Sequence, residues 1–562
     1  MRGLRGRGIA LAVVAVSMVA ASCSKSGTSS STGTTVAGGG STTTVAAKQG
    51  GDITLGAEQE PDCMDWIGAC AGAAWGVYTV ETNTMPRAFD YTDTGYKPSD
   101  LLTGAPTVTT SPKQVVKYSI NPAAVWNDKT PITSTDFKYT WDQIAHGQMI
   151  YDQTGYNQIE SVDDTDPHTA VVTFSSPYPD YQVLFGGFYG ILPSHILMGK
   201  DRDAMMKDGY NFSGGPWILD HWTKGTEVKL VPNPNYWGKK PNLNSVTFKF
   251  ITDTAAEQQD YKSGQILASY PQAQPGGEAL KGTAGTYFDA VSGLSYEGLW
   301  YNVEKAPLND KVVRQALAYA TDRNAIVQQL FAPIQPDIQP IQSVSTPAFG
   351  AAYSMAYSKY SLNLNMVNTM MTGDGWTKGS DGIWAKGGQK ATLELKTTTG
   401  NKRRQLTAQI LQTQWQAAGF QLTVTPEKAG VLFGQDLPGG NFQVGLYAQT
   451  PADNDPGLCV TFCSKNIPTA ANGNSGQNWD RINDPNLDKF WGPVDTTLDQ
   501  NTRISDAQMG ETTLAEDMPM LPLDPFPDII VINSDKLGTQ QGTFQHNFSY
   551  GPFTYLNYWF LK

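Results

Sequence analysis

Residues 227–251 read Glu-Val-Lys-Leu-Val-Pro-Asn-Pro-Asn-Tyr-Trp-Gly-Lys-Lys-Pro-Asn-Leu-Asn-Ser-Val-Thr-Phe-Lys-Phe-Ile. Apolar and polar residues alternate at both ends of this stretch, which predicts one strand at 227–231 and a second at 245–251. The Pro-Asn-Pro-Asn segment at 232–235 is typical of a turn. The stretch therefore predicts two neighbouring strands of a sheet.

Strand-like and helix-like segments alternate along the rest of the chain. Strands are predicted at 114–120, 169–175, 391–396, 421–424, 442–447 and 529–532. One helix is predicted to begin at Ser134 or Thr135 as its cap, and further helices are predicted at 312–330, 402–418 and 501–518. This alternation predicts the α/β fold class.

The composition predicts a folded, acidic protein. Among 562 residues there are 40 Lys and Arg against 52 Asp and Glu, for a net charge of −12, and 40% of residues are hydrophobic. That apolar content excludes wholesale disorder. The acidic balance argues against a nucleic-acid partner, which requires clustered basic residues.

The N-terminus has the pattern of an export signal. Arg2, Arg5 and Arg7 precede an apolar run at 9–21 that is too short to span a bilayer. Small residues then lead to Cys23, and this ending resembles a bacterial lipobox, in which the Cys is lipidated. We therefore predict a signal peptide at 1–22; an ordinary cleavage site with an incidental Cys is the alternative.

Residues 24–50 have the composition of a tether. Ser, Thr and Gly occupy 19 of these 27 positions. Such a tract cannot bury a core and behaves as a flexible linker. With the lipid on Cys23, segment 23–50 predicts an exported protein anchored at the outer face of the bacterial cytoplasmic membrane.

Four further cysteines lie in the body of the chain, at Cys63, Cys70, Cys459 and Cys463. An even number in an exported protein predicts two disulfides, and three connectivities are possible. The local pairing of 63 with 70 and of 459 with 463 is the simplest. A zinc site is the alternative, although no His lies near either pair. We predict no metal.

The sequence lacks the common catalytic motifs. A search for GxSxG, HExxH, a P-loop and GxGxxG after a strand finds none. Paired carboxylates such as Asp163 and Asp164 require spatial evidence before they indicate a glycosidase. We therefore predict no enzyme activity and no cofactor.

Four motifs in a fixed order resemble the family 5 extracellular solute-binding proteins, which include the oligopeptide-, dipeptide- and nickel-binding proteins of ABC importers. The strongest is Gly-Gly-Pro-Trp at 214–217 with the stretch at 231–241, which is similar to the family's N-P-x-Y-W-G-x-x-P. The others are Trp-Asn-Asp-Lys-Thr-Pro within 125–137, the segment 300–323, and the pair 484–488 and 514–523. Together they span about residues 110–525.

This resemblance implies a two-lobed, periplasmic-binding-protein-like fold of the cluster C type, with a hinge and an extra subdomain in lobe I. It places lobe I at 51–296 with a return segment at 519–562, and lobe II at 297–518. The implied function is to capture peptides, chiefly oligopeptides, between the lobes and to deliver them to a membrane permease, as a monomer. A receptor for a sugar, a chelated metal or another small solute stays open, as does a peptide-sensing lipoprotein.

In peptide-binding members of the family, an Asp pairs with the ammonium group of the ligand. The matching loop here offers Asp453 first and Asp455 as the alternative. A surface Asx turn is the other interpretation of this loop.

The dipeptide branch of the family also clamps the ligand carboxylate with an Arg, and Thr399 stands at about that position. Arg403 or Arg404 is a possible substitute, although exposure at a helix start is the simpler expectation. This departure favours longer peptides, which are bound through their main chain, or a non-peptide ligand.

Further candidate ligand contacts are aromatic and amide side chains near the crossovers and the Asp loop. Each aromatic is alternatively a core residue. The candidates are Trp300, Tyr301, Tyr447 and Trp479, with Trp66 and Trp75 as weaker ones, and the amides Asn302 and Asn478.

Overall fold

The computed structural model describes residues 47–68, 75–92, 95–186, 189–345, 347–450, 457–525, 527–546 and 551–562. Residues from 46 onwards form one compact unit. The predicted signal peptide, Cys23 and most of the predicted tether therefore lie outside the described residues.

The first sheet has seven strands. In spatial order they are Thr286–Ser292, Pro527–Asn533, Ala268–Ser269, Asp52–Ala57, Ser245–Phe250, Glu227–Pro232 and Trp217–Thr223. The hairpin predicted from residues 227–251 is confirmed, because its strands pair antiparallel with Val246 opposite Leu230. Strand Asp52–Ala57 is parallel to both of its neighbours, so their carboxyl ends share one edge of the sheet.

The second sheet has five strands, in the order Gln421–Glu427, Thr392–Thr398, Val444–Gln449, Tyr296–Tyr301 and Met520–Asp524. The first three are mutually parallel, and helix Lys402–Ala418 connects two of them. The last two are completely buried, which explains their near-continuous apolar sequence.

The chain passes between the two sheets twice. Strand Thr286–Ser292 of the first sheet leads to Tyr296–Tyr301 of the second, and Met520–Asp524 of the second leads back to Pro527–Asn533 of the first. The structure is thus α/β and two-lobed, as predicted. We call the lobe with the seven-stranded sheet lobe I and the other lobe II.

A separate four-stranded sheet forms an extra subdomain within lobe I. Its strands, in spatial order, are Thr107–Thr109, Val115–Ser119, Thr169–Phe174 and Ile159–Asp166. Helix Ser134–Ala145 packs on it and is capped by Thr133, not by Ser134 or Thr135 as predicted. The cap lies earlier because the Asp136 carboxylate accepts the backbone N–H of Thr133 at 2.9 Å, which completes a capping box.

The remaining elements cover the sheets. The longer helices are Thr254–Ser263, Lys311–Tyr319, Arg323–Phe331, Leu364–Gly373, Pro485–Val494 and Gln500–Asp517. Short helices are Thr82–Thr84, Ser194–Leu197, Arg202–Met206, Ala429–Val431, Leu437–Gly439 and Cys459–Phe462. Small sheets pair Phe89–Thr92 with Gly95–Pro98, Leu537–Thr539 with Trp559–Leu561, and Trp384–Lys386 with Thr377–Lys378 and Gln389–Lys390.

The single helix predicted at 312–330 is wrong, because the structure has two helices there. The first ends at Tyr319, and the carboxylate of Asp322 accepts the backbone N–H of Ala325 at 3.0 Å to cap the second. Asp and Thr side chains compete for backbone hydrogen bonds, so Thr321 and Asp322 favour a break over a continuous helix.

Each lobe has its own apolar core. Trp126 and Trp217 are fully buried in the core of lobe I and its subdomain, and Trp300, Trp415 and Trp491 in the core of lobe II. Within the described ranges, no helix has both the length and the apolar character needed to cross a membrane.

We expect Asp322→Ala to lower the free energy of unfolding by about 1 kcal/mol, because the second helix loses its cap. Asp337→Ala, at an exposed loop position, is the matched control and is expected to change stability by less than about 0.5 kcal/mol. Urea unfolding followed by circular dichroism measures both. Equal stability of the two variants would contradict the capping role.

Candidate functional site

A cavity of about 210 Å³ lies between the extra subdomain and lobe II. The subdomain contributes residues 149–151, which follow helix Ser134–Ala145. Lobe II contributes residues 433–439 and the loop at 474–479. Because both lobes form its walls, this cavity exists only where the lobes meet. We call it the aromatic cavity.

Aromatic rings from both lobes form one continuous set of contacts at this cavity. The ring of Trp479 lies 6.4 Å from Tyr151 of the subdomain and 5.8 Å from Tyr447 of lobe II, measured between centroids. Phe433 lies 6.4 Å from Trp479 on the same side. Behind them, Trp300 stacks on Tyr447 at 4.9 Å and an interplanar angle of 9°. The cavity therefore suits an apolar or aromatic group.

The strand neighbours of Trp300 explain this stacking. Trp300 donates its indole N–H to the backbone oxygen of Tyr447 at 3.1 Å. Gly298 lies opposite Tyr447 in the sheet, and a Cβ at Gly298 would lie 3.2 Å from the Trp300 indole nitrogen. A Cβ at Gly445 would lie 2.8 Å from the Tyr447 ring. Two glycines thus leave the space that the stacked rings fill.

The loop that carries Trp479 is held by its own amides. Asn478 donates to the backbone oxygens of Cys463 and Ile482 at 3.0 and 2.8 Å and accepts the Ile482 N–H at 3.1 Å. Asn302 likewise donates to the Gly440 oxygen at 3.1 Å and accepts the Glu304 N–H at 3.1 Å. Both predicted amides therefore bind backbone groups of lobe II.

The other predicted contacts lie elsewhere. Tyr301 is fully buried in the core of lobe II. Trp75 packs against Tyr78 and Tyr270 of lobe I, at 6.1 and 6.0 Å between centroids. Neither Tyr301 nor Trp75 is among the described residues that line the aromatic cavity. Trp300 and Tyr447 do not line the cavity either, because they are 1% and 2% exposed in the core of lobe II behind it. Of the predicted contacts, Trp479 is the one among the described residues that line the cavity.

The predicted ammonium anchors, Asp453 and Asp455, lie outside the described residues. The strand that precedes them, Val444–Gln449, ends beside the Trp479 loop, where Gln449 donates to the side-chain oxygen of Gln477 at 3.2 Å. The last described strand before this segment therefore ends at the loop that carries Trp479.

The three cysteines among the described residues are disulfide-bonded. Cys459 and Cys463 are joined to each other, which is the local pairing considered above, and Cys63 is also disulfide-bonded. Cys70 lies outside the described residues. Among the residues that the structure describes, no group of three or more His, Cys, Asp or Glu side chains is arranged to hold a metal ion.

A buried ion-pair cluster lies at the crossover between the lobes, on the opposite face of the second sheet from Tyr447. Glu297 accepts from Arg403 at 2.7 Å and from Arg404 at 3.0 Å. The expectation that these arginines are exposed at the helix start is wrong, since they are 1% and 8% exposed. They are buried because Glu297, on an otherwise apolar buried strand, requires neutralisation.

The same cluster reaches lobe I. The backbone N–H of Arg403 donates to the side-chain oxygen of Gln274 at 3.0 Å, and Asn401 donates to Gln272 at 3.4 Å. Sequence analysis missed this contact. Glu297 within the otherwise apolar run Tyr296–Tyr301 could have indicated it, because a buried carboxylate requires a cationic or hydrogen-bonding partner.

Two further carboxyl groups of the crossover are protonated more easily than usual. Burial, together with the negative charge of Glu297, raises the pKa of Asp524 to about 8. Burial also raises the pKa of Asp528 to about 6, although its hydrogen bond from Tyr270 lowers it. Both groups therefore lose their protons at a higher pH in the folded protein than in the unfolded chain.

These two shifts predict a loss of stability as the pH rises. Between about pH 4 and 8, Asp524 and Asp528 bind more protons in the folded protein than in the unfolded chain. Their contribution to the free energy of unfolding is therefore fully present below about pH 4 and is lost as the pH rises to about 8. We expect the melting temperature of Asp524→Asn to fall less between pH 5 and 8 than that of the unchanged protein. Asp535→Asn, at an exposed position, is the control. An equal fall in all three proteins would refute the role of Asp524.

Comparisons with known proteins agree with this architecture. A family model described as "Bacterial extracellular solute-binding proteins, family 5 Middle" matches residues 100–466. The oligopeptide-binding protein OppA of Mycobacterium tuberculosis (strain ATCC 25618 / H37Rv) is 26% identical over 470 residues, which cover 80% of this chain and 76% of that protein.

Two solved structures share the fold. AppA from Bacillus subtilis, an oligopeptide-binding protein in complex with a nonapeptide, has a TM-score of 0.79 at 21% identity and covers 92% of this chain and 100% of its own. The periplasmic EDTA-binding protein EppA also has a TM-score of 0.79, at 20% identity, covering 92% of this chain and 97% of its own. Since these neighbours bind different ligands, the fold alone does not identify the ligand.

Proposed function

We propose that this chain, which belongs to the family 5 bacterial extracellular solute-binding proteins, captures peptides between its lobes and delivers them to the permease of an ABC importer. We place lobe I at 51–296 with a return segment that begins after Asp524, rather than at 519 as the resemblance implied, and infer that the protein acts as a monomer. Strand Met520–Asp524 completes the sheet of lobe II, so the physical return to lobe I follows Asp524.

The aromatic cavity is the observation that carries this proposal. Its two walls also contact each other directly: the Met149 N–H donates to the Gly473 oxygen at 3.0 Å, and Gln477 donates to the Tyr151 oxygen at 3.5 Å. A peptide side chain in the cavity beside Tyr151 and Trp479 would contact both lobes only when they are closed. Binding would therefore stabilise the closed form, which is how a hinged receptor responds to its ligand.

The charge arrangement favours peptides longer than dipeptides. A dipeptide receptor of this family clamps the ligand carboxylate with an Arg, but Thr399 stands at that position. Arg403 and Arg404 are both bound to Glu297. The ammonium end of a peptide would pair with Asp453, or with Asp455, and the rest of its backbone would be bound as an added strand.

Mass spectrometry of the small molecules released when the purified, exported protein is denatured tests this proposal. We expect peptides of mixed sequence within a narrow range of length. Asp453→Ala is expected to bind peptide at least tenfold more weakly, because the ammonium loses its partner, whereas the control Asp337→Ala retains it. Loss in Asp455→Ala alone would move the anchor to Asp455. A single non-peptide solute, such as a sugar or a chelated metal, would contradict peptide capture.

We also propose that a lipid on Cys23 anchors the protein, because a receptor that supplies a permease must stay near the membrane. Cys23→Ala is expected to move the protein from the membrane fraction to the soluble exported fraction, since no acyl chains then hold it. The control Ser24→Ala is expected to stay in the membrane fraction. A Cys23→Ala protein that remains on the membrane would refute the lipid anchor.

A further inference from the structure

The extra subdomain and lobe II also meet beside the aromatic cavity, at the carboxyl-terminal end of helix Pro485–Val494. A second cavity, of about 310 Å³, lies there between the same two walls, and Gly476 lines both cavities. The last carbonyl groups of a helix have no partner within the helix, so they accept hydrogen bonds from elsewhere. Here two of these carbonyl groups each accept from a long side chain, one from each lobe.

The two side chains are Gln158 of the subdomain and Arg503 of lobe II. The amide of Gln158 donates to the backbone oxygen of Asp495 at 3.0 Å. The guanidinium group of Arg503, which belongs to the next helix, donates to the backbone oxygen of Val494 at 2.9 Å. A donor from each lobe therefore binds at the same helix end.

Arg503 also forms an ion pair across the lobes, with the carboxylate of Asp180 in the subdomain. One terminal nitrogen of the guanidinium group donates to Oδ1 of Asp180 at 3.3 Å, and the other donates to Oδ2. The side chains of Arg503 and Asp180 are only 2% and 13% exposed, so salt and water screen the pair little. Such a two-pronged, charge-assisted contact is one of the strongest between polar side chains.

Lobe II holds Arg503 in position for this contact. The side-chain oxygen of Gln500 accepts from Arg503 at 3.2 Å, in addition to the Val494 oxygen. Arg503 lies near the amino-terminal end of its helix, where the helix dipole disfavours a positive charge. The carboxylate of Asp180 supplies negative charge at this place from the opposite lobe.

The ion pair is separate from the surface that a ligand would contact. Neither Asp180 nor Arg503 is among the described residues that line the two cavities. The pair nevertheless joins the same subdomain and the same lobe that form the walls of the aromatic cavity. A hinge motion that separates those walls would therefore also separate Asp180 from Arg503 and return both charges to water.

We propose that Asp180 and Arg503 form a latch, an ion pair that is made when the lobes close and that slows release of the captured peptide without contacting it. This inference rests on the proposed function and adds two positioning residues to it. A contact present in only one of two conformations favours that conformation. Since this contact forms after the peptide has entered the cleft, its effect is expected on dissociation rather than association.

The rate of peptide release tests the latch. The purified, exported protein is loaded with a pentapeptide that contains one Phe and has fluorescein at its carboxyl end, and excess unlabelled peptide is added in a stopped-flow instrument. Asp180→Asn is expected to release the peptide at least about tenfold faster, because closure then buries the Arg503 charge without this carboxylate. The association rate is expected to change less than about threefold.

The matched control is Asp208→Asn, which removes the carboxylate of an exposed ion pair with Lys224 within lobe I. It is expected to change neither rate, because this pair does not connect the lobes and water screens it. A partly misfolded sample would bind less peptide, but the release rate of its folded fraction would stay unchanged. The rate therefore separates a latch from a general effect on folding.

A double variant tests whether the two residues act together. Arg503→Gln alone is also expected to release the peptide at least about tenfold faster. Combined with Asp180→Asn, it is expected to stay within about threefold of the faster single variant, whereas independent effects would multiply to about a hundredfold.

Release from Asp180→Asn within threefold of the unchanged protein, or effects that multiply in the double variant, would overturn this inference alone. Failure of the unchanged protein to bind any peptide would overturn the proposed function, and the latch with it.

Discussion

The buried carboxylate of Glu297 determines which side chains pack at the junction of the two lobes. It lies on the strand that carries the chain out of lobe I, and Arg403 and Arg404 from the start of a lobe II helix neutralise it. A buried charge without its partners is strongly destabilising. The pairing therefore holds that helix start against the crossover, where its backbone also contacts Gln274 of lobe I.

The cleft lies on the other face of the second sheet from this ion-pair cluster, on the side of Tyr447 and Trp479. The extra subdomain faces lobe II across two compartments, one lined by aromatic rings and the other by carboxylates and amides. Tyr151 and Asp152, neighbours in the chain, contribute to one compartment each. In our account the subdomain is therefore a wall of the binding site.

Much of the fold could be predicted from sequence because local patterns decide it. Alternation and a Pro-Asn turn were sufficient for the hairpin, and the order of four motifs was sufficient for the two lobes. The break at Asp322 and the burial of Arg403 were not predictable in that way. Both depend on which side chain or backbone group lies nearby in three dimensions. Trp479 was a candidate as an aromatic residue near the Asp loop, whereas its contact with Tyr151 of the other lobe required the structure.

A crystal structure of the protein, purified together with the ligand that it carries from the cell, tests the central claim most directly. Our account predicts electron density for an extended peptide with one side chain in the aromatic cavity, beside Tyr151 and Trp479, with its ammonium end at Asp453 or Asp455 and closed lobes around it. Density for a non-peptide solute, or for a peptide bound away from these aromatic rings, would contradict the account.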